Sequence, residues 1–360
     1  MSSTCAQSGW LGDEQFWSGF SKDLACRRVP FSGSLALTHS CNLRCLHCYV
    51  QGEPAAGEAA TELRTGQWLR IIEEIKEAGC LSLLLTGGDP LLREDFPEIY
   101  SFIKKNGFLV TVFTSGSLVS DRIVDLFAEL PPRLVEITLY GAGASTHDLV
   151  TGVPGSFARS IQGIERLLAR GVHVGLKSVL MTLNQDEFPA LEELAKGFGV
   201  RFRSDAAIFP TLAGDHGPVG LRVAPDRAVA LEMADPERRR EWREFFKNSP
   251  SIPQGKQIFV CNAGLTTFHI DPDGRLFPCL MARMVEYPLA SGDFMEGWSE
   301  MARVRQLEAE GDFSCGGCEK KTICGFCPGF FMLENGQSQA PSDYVCAIGR
   351  LRHEYIMNET

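Results

Sequence analysis

Cys41, Cys45 and Cys48 stand in the run SerCysAsnLeuArgCysLeuHisCysTyr, a CX3CX2C spacing that puts three thiols within eight residues. Three thiolates on one short loop leave a coordination position open. A structural zinc site takes four protein ligands, so a zinc knuckle here would also need His39 or His47. An iron-sulfur cubane held by three cysteines instead keeps one iron free to bind another molecule. Seven further cysteines crowd the last quarter of the chain. Cys261, Gly274 and Cys279 make CX12GX4C, Cys315, Cys318, Cys324 and Cys327 make CX2CX5CX2C, and Cys346 follows alone. By spacing, these suit two zinc-ribbon-like sites or iron-sulfur clusters. Cys5, Cys26 and Cys80 stand apart and read as ordinary buried or surface thiols.

The start, MSSTCAQSGW, lacks the basic-then-apolar order of a secretory signal, and no apolar run reaches the roughly 20 residues that cross a bilayer. The expected compartment is the cytoplasm, with no membrane partner. Disulfides do not persist there, which turns 13 cysteines toward metal or redox chemistry. The 35 Lys and Arg against 45 Asp and Glu leave a formal charge of -10, so no basic field exists to hold nucleic acid. A chain of 360 residues, 44% hydrophobic, makes one large or two to three small domains with a sizeable core.

The elements that must position these thiols can be read from periodicity. Apolar runs of strand length occupy 34–38, 81–86, 108–113, 134–139, 172–180 and 200–203. Between them, 66–78, 95–106, 121–130, 156–170 and 187–198 repeat apolar residues at helical spacing. Gly79, Gly107, Gly171 and Gly199 stand where a left-handed residue ends a helix and starts the next strand. Six β/α units in a row require a parallel sheet and are too few for a closed eight-stranded barrel. The expected class is therefore α/β, as an open partial barrel or a doubly wound sheet, with reactive groups at the carboxyl ends of the strands. The three-cysteine loop follows the first strand and a Gly-Gly pair follows the second, so both lie on that rim.

On these residues the sequence resembles the radical SAM superfamily, and the resemblance implies a partial (β/α)6 TIM-like barrel. It implies that Cys41, Cys45 and Cys48 hold a [4Fe-4S] cluster whose free iron is chelated by the amino and carboxylate groups of S-adenosylmethionine. One electron from the reduced cluster then cleaves the sulfonium to methionine and a 5′-deoxyadenosyl radical. His47 occupies the position before the third cysteine where the family has an aromatic residue near the adenine. LeuThrGlyGlyAspProLeu resembles the family's Gly-Gly-Glu-Pro segment, so Gly87, Gly88, Asp89 and Pro90 are expected to receive the methionine ammonium. ThrSerGly at 114–116 resembles a Thr-Asn-Gly segment and adds Ser115; Lys177 and Asn184 are read as contacts to the carboxylate and ribose or, equally, as a solvated lysine and a capping asparagine. IleThrLeuTyrGlyAla and ThrHisAspLeuValThrGly resemble a ribose-binding stretch in which Thr138, Tyr140 and Thr151 replace serine, aspartate and arginine. Tyr140 reads as a rim aromatic or a radical relay, and no catalytic acid or base can be named.

The C-terminal pattern, with IleAspProAspGlyArgLeuPheProCys around Gly274 and Cys279, resembles a SPASM domain, whose cysteines hold two auxiliary clusters, expected as [4Fe-4S]. In the family's crossed pattern, Cys315, Cys318, Cys324 and Cys346 ligate the outer cluster, while Cys261, Cys279 and Cys327 hold the inner one. The inner cluster then has an open iron, a ligand such as His269, or a smaller form. The implied organisation is an N-terminal extension (1–30), the partial barrel (31–208), a bridging segment (209–258), the small SPASM domain (259–350) and a tail (351–360). The bridge is irregular except for the charged run from Pro236, read as a solvated helix or, less favourably, a leader-peptide contact.

Such enzymes modify ribosomally made peptides by hydrogen-atom abstraction, through crosslinks, thioethers or epimerisation. The implied partners are a peptide or small-protein substrate, an electron donor such as flavodoxin or ferredoxin, and a separate leader-peptide-binding protein. Sulfatase maturation is disfavoured because Leu280, not an acidic residue, follows Cys279. The second reading is radical decarboxylation or oxidation in haem or other cofactor biosynthesis, with Arg201, Arg203, Arg275 and Arg283 as candidates for propionates. A non-catalytic scaffold has no need of the CX3CX2C loop or of GlyGlyAspPro.

Overall fold

In the computed structural model, residues 13–50, 62–248, 252 and 254–358 are described, so Cys5 lies outside them. Helix α1 (Asp13–Cys26) precedes a run of parallel strands and helices. These are β1 (Ser32–Ala36), α2 (Thr65–Glu77), β2 (Ser82–Thr86), α3 (Phe96–Lys105), β3 (Leu109–Thr114) and α4 (Asp121–Glu129), then β4 (Leu134–Thr138), α5 (Ala144–Thr151), α6 (Ser156–Ala169), β5 (Val174–Val179), α7 (Phe188–Gly197) and β6 (Arg201–Asp205). The six expected strands are all present, in the order β6-β5-β4-β3-β2-β1, each parallel to its neighbour. Gly79, Gly107, Gly171 and Gly199 all have positive φ, between 68° and 91°, where they turn a helix into a strand.

The sheet is two-faced, which is what a barrel needs. Leu83, Leu85, Val110, Val112, Val135 and Ile137 pack outward against Trp68, Ile71, Phe96, Ile99, Phe127 and Ile164 of the helices. The residues between them on β3–β6, among them Phe113, Glu136, Thr138, Lys177 and Arg203, face the other side and leave polar groups there.

The sheet does not end at residue 208. Strand β7 (Thr267–Ile270) adds to the free edge of β1 in parallel, and β8 (Arg275–Phe277) and β9 (Tyr287–Pro288) continue it antiparallel, giving nine strands. The cysteine-rich region thus shares the barrel's sheet, across the boundaries expected from sequence. Gly33 makes the junction possible: a Cβ there would fall inside 3.0 Å of the Phe268 ring. The bridge is more regular than expected, with α8 (Pro225–Glu232) and α9 (Pro236–Asn248). No residue of α9 is buried, as its charge pattern implied.

After α10 (Phe294–Met301), α11 (Lys321–Cys324) and α12 (Pro328–Asn335), helix α13 (Asp343–Met357) runs through residue 350, so no separate tail begins there. Ala228, Val229 and Leu231 of α8 pack with Ile348 of α13. Arg352 makes a two-pronged pair with Glu232, at 2.7 and 3.0 Å, and Arg222 does the same with Glu334, at 3.0 and 2.8 Å. Both forks tie the bridge to the cysteine-rich region.

Gly33→Val is expected to cost about 2 kcal/mol by overpacking against Phe268. Denaturant melts of the variant, alone and with Phe268→Leu, should show coupled rather than additive losses, and additivity would mean that β7 does not dock on β1.

Candidate functional site

The cysteine loop leaves β1 and is held from three sides. Gly88 N–H donates to the Thr38 carbonyl at 2.7 Å and Asp89 N–H to that of Ser40 at 3.0 Å. A Cβ on Gly87 or Gly88 would fall inside 3.0 Å of those same carbonyl oxygens, so only glycine fits. The Glu62 carboxylate accepts from Thr38 Oγ1 and His39 N–H, each at 2.9 Å, while Arg93 donates to the Leu37 carbonyl at 2.8 Å. On the far side, Arg44 and Leu46 N–H donate to the carbonyls of Thr151 and Val150, at 2.8 and 3.0 Å. The segment 146–152, read from sequence as a ribose site, therefore braces the cysteine loop through α5. Thr151 is fully buried against Ser156 Oγ, at 2.7 Å.

Cys41, Cys45 and Cys48 line a cavity of about 730 Å³ at the carboxyl ends of the strands. Burial first, then repulsion from Cys48 and Cys41, pushes the Cys45 thiol up to about 12; Cys41 is raised to about 11, by burial first and also by Asp89 and Cys48. Sulfurs this close favour a cationic centre between them. The Leu43 N–H already donates to Cys41 Sγ at 3.4 Å, and Tyr140 hydrogen-bonds to Cys45. Among the described residues no three His, Cys, Asp or Glu side chains close around a single ion. The thiols fit a cluster, which is itself several ångströms across, and the open rim beside Gly87 and Gly88 leaves room for its ligand. His47 stands edge-on to Tyr140 at 4.7 Å, and burial holds its imidazole down to about 4, so it packs as a neutral aromatic.

Of the residues expected to contact S-adenosylmethionine, His47, Gly87, Gly88, Ser115, Thr138 and Lys177 line the cavity. Asp89 and Pro90 do not. The Asp89 carboxylate is fully buried and saturated by Thr114 Oγ1 (2.9 Å), Ser115 N–H (2.9 Å), Ser115 Oγ (2.7 Å) and Leu91 N–H (3.1 Å). It locks the loop after β3 to the loop after β2, which leaves the neighbouring glycine backbone, not this carboxylate, facing the cavity. Asn184 is likewise committed, donating to the Tyr140 and Val179 carbonyls at 3.0 and 2.9 Å and accepting from Met181 N–H at 2.8 Å, so it is a brace and not a ribose contact.

Lys177 shares that cavity with Gly87 and Gly88. It stands on β5, three strands from β2. Its ammonium lies 3.2 Å over the Phe113 ring and 3.7 Å from the Glu136 carboxylate. Glu136 is claimed more closely by Arg203, through two contacts of 2.5 Å. Sequence reasoning missed Phe113 and Glu136, although alternation along β3 and β4 places both on the inner face.

The C-terminal thiols fall into two sets by the repulsion they exert. Cys279 is pushed up to about 12 by burial, then by Cys327 and Cys261. Cys324 is raised as far by burial, then by Cys318, Cys346 and Cys315. Backbone N–H groups of Ala282 and Phe330 donate to Cys279 and Cys327 at 3.3 and 3.4 Å, as sulfur ligands prefer. His269 has no free nitrogen for a cluster: Nδ1 bonds to Ser34 Oγ at 2.7 Å and Nε2 to Asp271 Oδ1 at 2.9 Å. Burial alone would raise the Asp271 carboxyl, but hydrogen bonds from His269 and Arg283 hold it well below the usual carboxylate range. Arg283 and Arg275 are thus spent on Asp271 and Asp273, which removes two of the four arginines considered for propionates.

Residues 35–195 match the model of the radical SAM superfamily. Those residues are a radical SAM domain. The chain is 27% identical over 336 residues, 84% of this chain and 93% of the relative, to the AdoMet-dependent heme synthase of Methanosarcina barkeri. It is 29% identical over 311 residues, 82% of each chain, to the mycofactocin maturase MftC of Mycobacterium ulcerans. The crystal structure of Streptococcus suis SuiB bound to precursor peptide SuiA superposes with a TM-score of 0.70 at 15% identity, covering 96% of this chain and 84% of that one, and shows the shared fold. The protein is a radical SAM enzyme of the SPASM type, using S-adenosylmethionine and a [4Fe-4S] cluster. No described helix is long and apolar enough to cross a membrane.

Asp89→Ala strands the donors of Thr114, Ser115 and Leu91 in the interior and is expected to cost about 3 kcal/mol in a denaturant melt. Asp89→Asn keeps an acceptor oxygen and should cost less than half as much; equal losses would deny the brace.

Proposed function

We propose that this radical SAM enzyme modifies a ribosomally made peptide by removing a hydrogen atom from it, with Cys41, Cys45 and Cys48 as the cluster ligands. When bound, S-adenosylmethionine and the reduced cluster together supply the hydrogen-abstracting carbon radical. The chain's own part is positional. Gly87 and Gly88 present backbone to the methionine end, Ser115 and Thr138 line the path toward the ribose, and His47 with Tyr140 forms an aromatic wall. The observation that carries the reading is a cavity that joins the cysteine loop to β6, one of the two edge strands of the sheet, along which an extended chain can enter. The relatives named as a maturase and a peptide-bound enzyme point the same way.

We further propose that the two thiol sets hold auxiliary clusters, Cys315, Cys318, Cys324 and Cys346 the outer one and Cys261, Cys279 and Cys327 the inner one. With His269 occupied on both nitrogens, an open iron is favoured at the inner cluster. A flavodoxin or ferredoxin supplies the electron, a separate protein binds the leader peptide, and the setting is the cytoplasm. The heme synthase relative sustains a second reading, radical decarboxylation of a haem precursor.

Anaerobically reconstituted protein should hold about twelve irons, falling to about eight when Cys41, Cys45 and Cys48 are replaced by alanine. About four falling to none, with zinc retained, would remove the auxiliary clusters. Incubation with S-adenosylmethionine and a reductant should strip two hydrogens from a precursor peptide encoded beside the gene, or exchange one for deuterium from D2O on epimerisation. Carbon dioxide loss from an iron porphyrin, with such peptides untouched, would establish the second reading instead.

A further inference from the structure

Among the described residues β6 pairs with β5 alone, and every residue of β6 except the part-buried Phe202 is exposed. A parallel strand is ordinarily covered, so this edge is open. The Asp205 carbonyl accepts from Leu180 N–H at 2.8 Å, on the β5 side. Main-chain groups alternate along a strand, so Arg201 and Arg203 also turn theirs toward β5. Phe202 and Ser204 each turn an N–H and a C=O to the open side. Both line a second cleft, of about 380 Å³, whose far wall is Trp242 and Phe245 of α9. Helix α9 is held from behind: Trp242 lies under the Arg352 guanidinium at 4.6 Å, and Phe246 meets His353 edge-on at 5.6 Å. Phe245, half exposed, stands edge-on to Trp242 at 5.8 Å and is left to face the cleft. Most charges beside the cleft are spent, Arg203 on Glu136, Arg238 on Glu192 and Glu232 on Arg352. What the cleft offers a ligand is therefore backbone on one wall and aromatic surface on the other.

We propose that this cleft takes an extended segment of the peptide substrate as an added strand on β6, with an apolar side chain of that segment against Phe245 and Trp242. This rests on the reading of the substrate as a peptide. Alternate residues of the added strand pair with the outward groups of Phe202 and Ser204, and the side chains between them meet α9. Continuity decides the occupant. Arg203 and Ser204 line the cleft and the thiol cavity alike, and Asp205, next along β6, lines the cavity. A chain laid on β6 thus runs on toward Cys41, Cys45 and Cys48. A segment remote from the reacting residue then holds that residue in place. Recognition by main chain and one apolar contact tolerates varied sequence around the anchor.

The test uses anaerobic holoenzyme saturated with S-adenosylmethionine and a fluorescein-labelled, amidated heptapeptide, Ser-Val-Thr-Phe-Thr-Val-Ser, followed by anisotropy. Phe245→Glu, at an exposed position, should weaken its binding about tenfold while S-adenosylmethionine affinity stays within about threefold. An added strand pairs through every second N–H, so N-methylation of alternate residues should matter in one phase only. One set should weaken binding about tenfold and the other by less than about threefold. Equal loss from both sets, or binding that Phe245→Glu leaves unchanged, would overturn the site. So would a dimer in sedimentation that Phe245→Glu dissociates, since a second copy of the chain would then hold the edge. Failure of the heptapeptide to bind would also overturn it, and would leave hydrogen abstraction from a peptide standing. Alternate-residue binding with no peptide modified would remove that reading and leave a site for an extended chain.

Discussion

The contact on which the site depends is between two stretches of backbone. Gly87 and Gly88 lie so close to the Thr38 and Ser40 carbonyls that no side chain could be interposed, and two short hydrogen bonds fix them there. This approach sets where the cysteine loop leaves β1 and turns the backbone after β2 toward the cavity. Asp89 extends the lock to the loop after β3. Three rim loops are thus tied to one another, which is what a cluster and its bound ligand need if their spacing is to be held.

The same strands carry the charge of the cavity. Alternation along β3 to β6 sends aliphatic groups outward and places Phe113, Glu136, Lys177 and Arg203 inward at neighbouring register positions. A buried carboxylate shared by two cations is stable only because each side chain is fixed by its strand. The cavity is therefore lined by thiols, cations, aromatic rings and hydroxyl groups together.

Much of this was legible in the sequence. The CX3CX2C spacing, the glycine pair and the six strand-length runs were enough to place the thiols on the rim of a parallel sheet. What could not be read depended on partners distant in the chain. The run around Phe268 looks like any short apolar stretch until Gly33 is found opposite it. Asp89 carries the chemistry of a ligand, and only its four donors show that it is a brace. Helix α8 was hidden by flanking prolines, one of which is simply its first residue.

The most direct measurement of the account is the cleavage of S-adenosylmethionine by anaerobic, reduced protein, followed as methionine and 5′-deoxyadenosine. The wild type should release both in equal amounts, and Cys45→Ala should release neither. Iron-loaded wild type that leaves S-adenosylmethionine intact, or a Cys45→Ala protein that still cleaves it, would contradict the account.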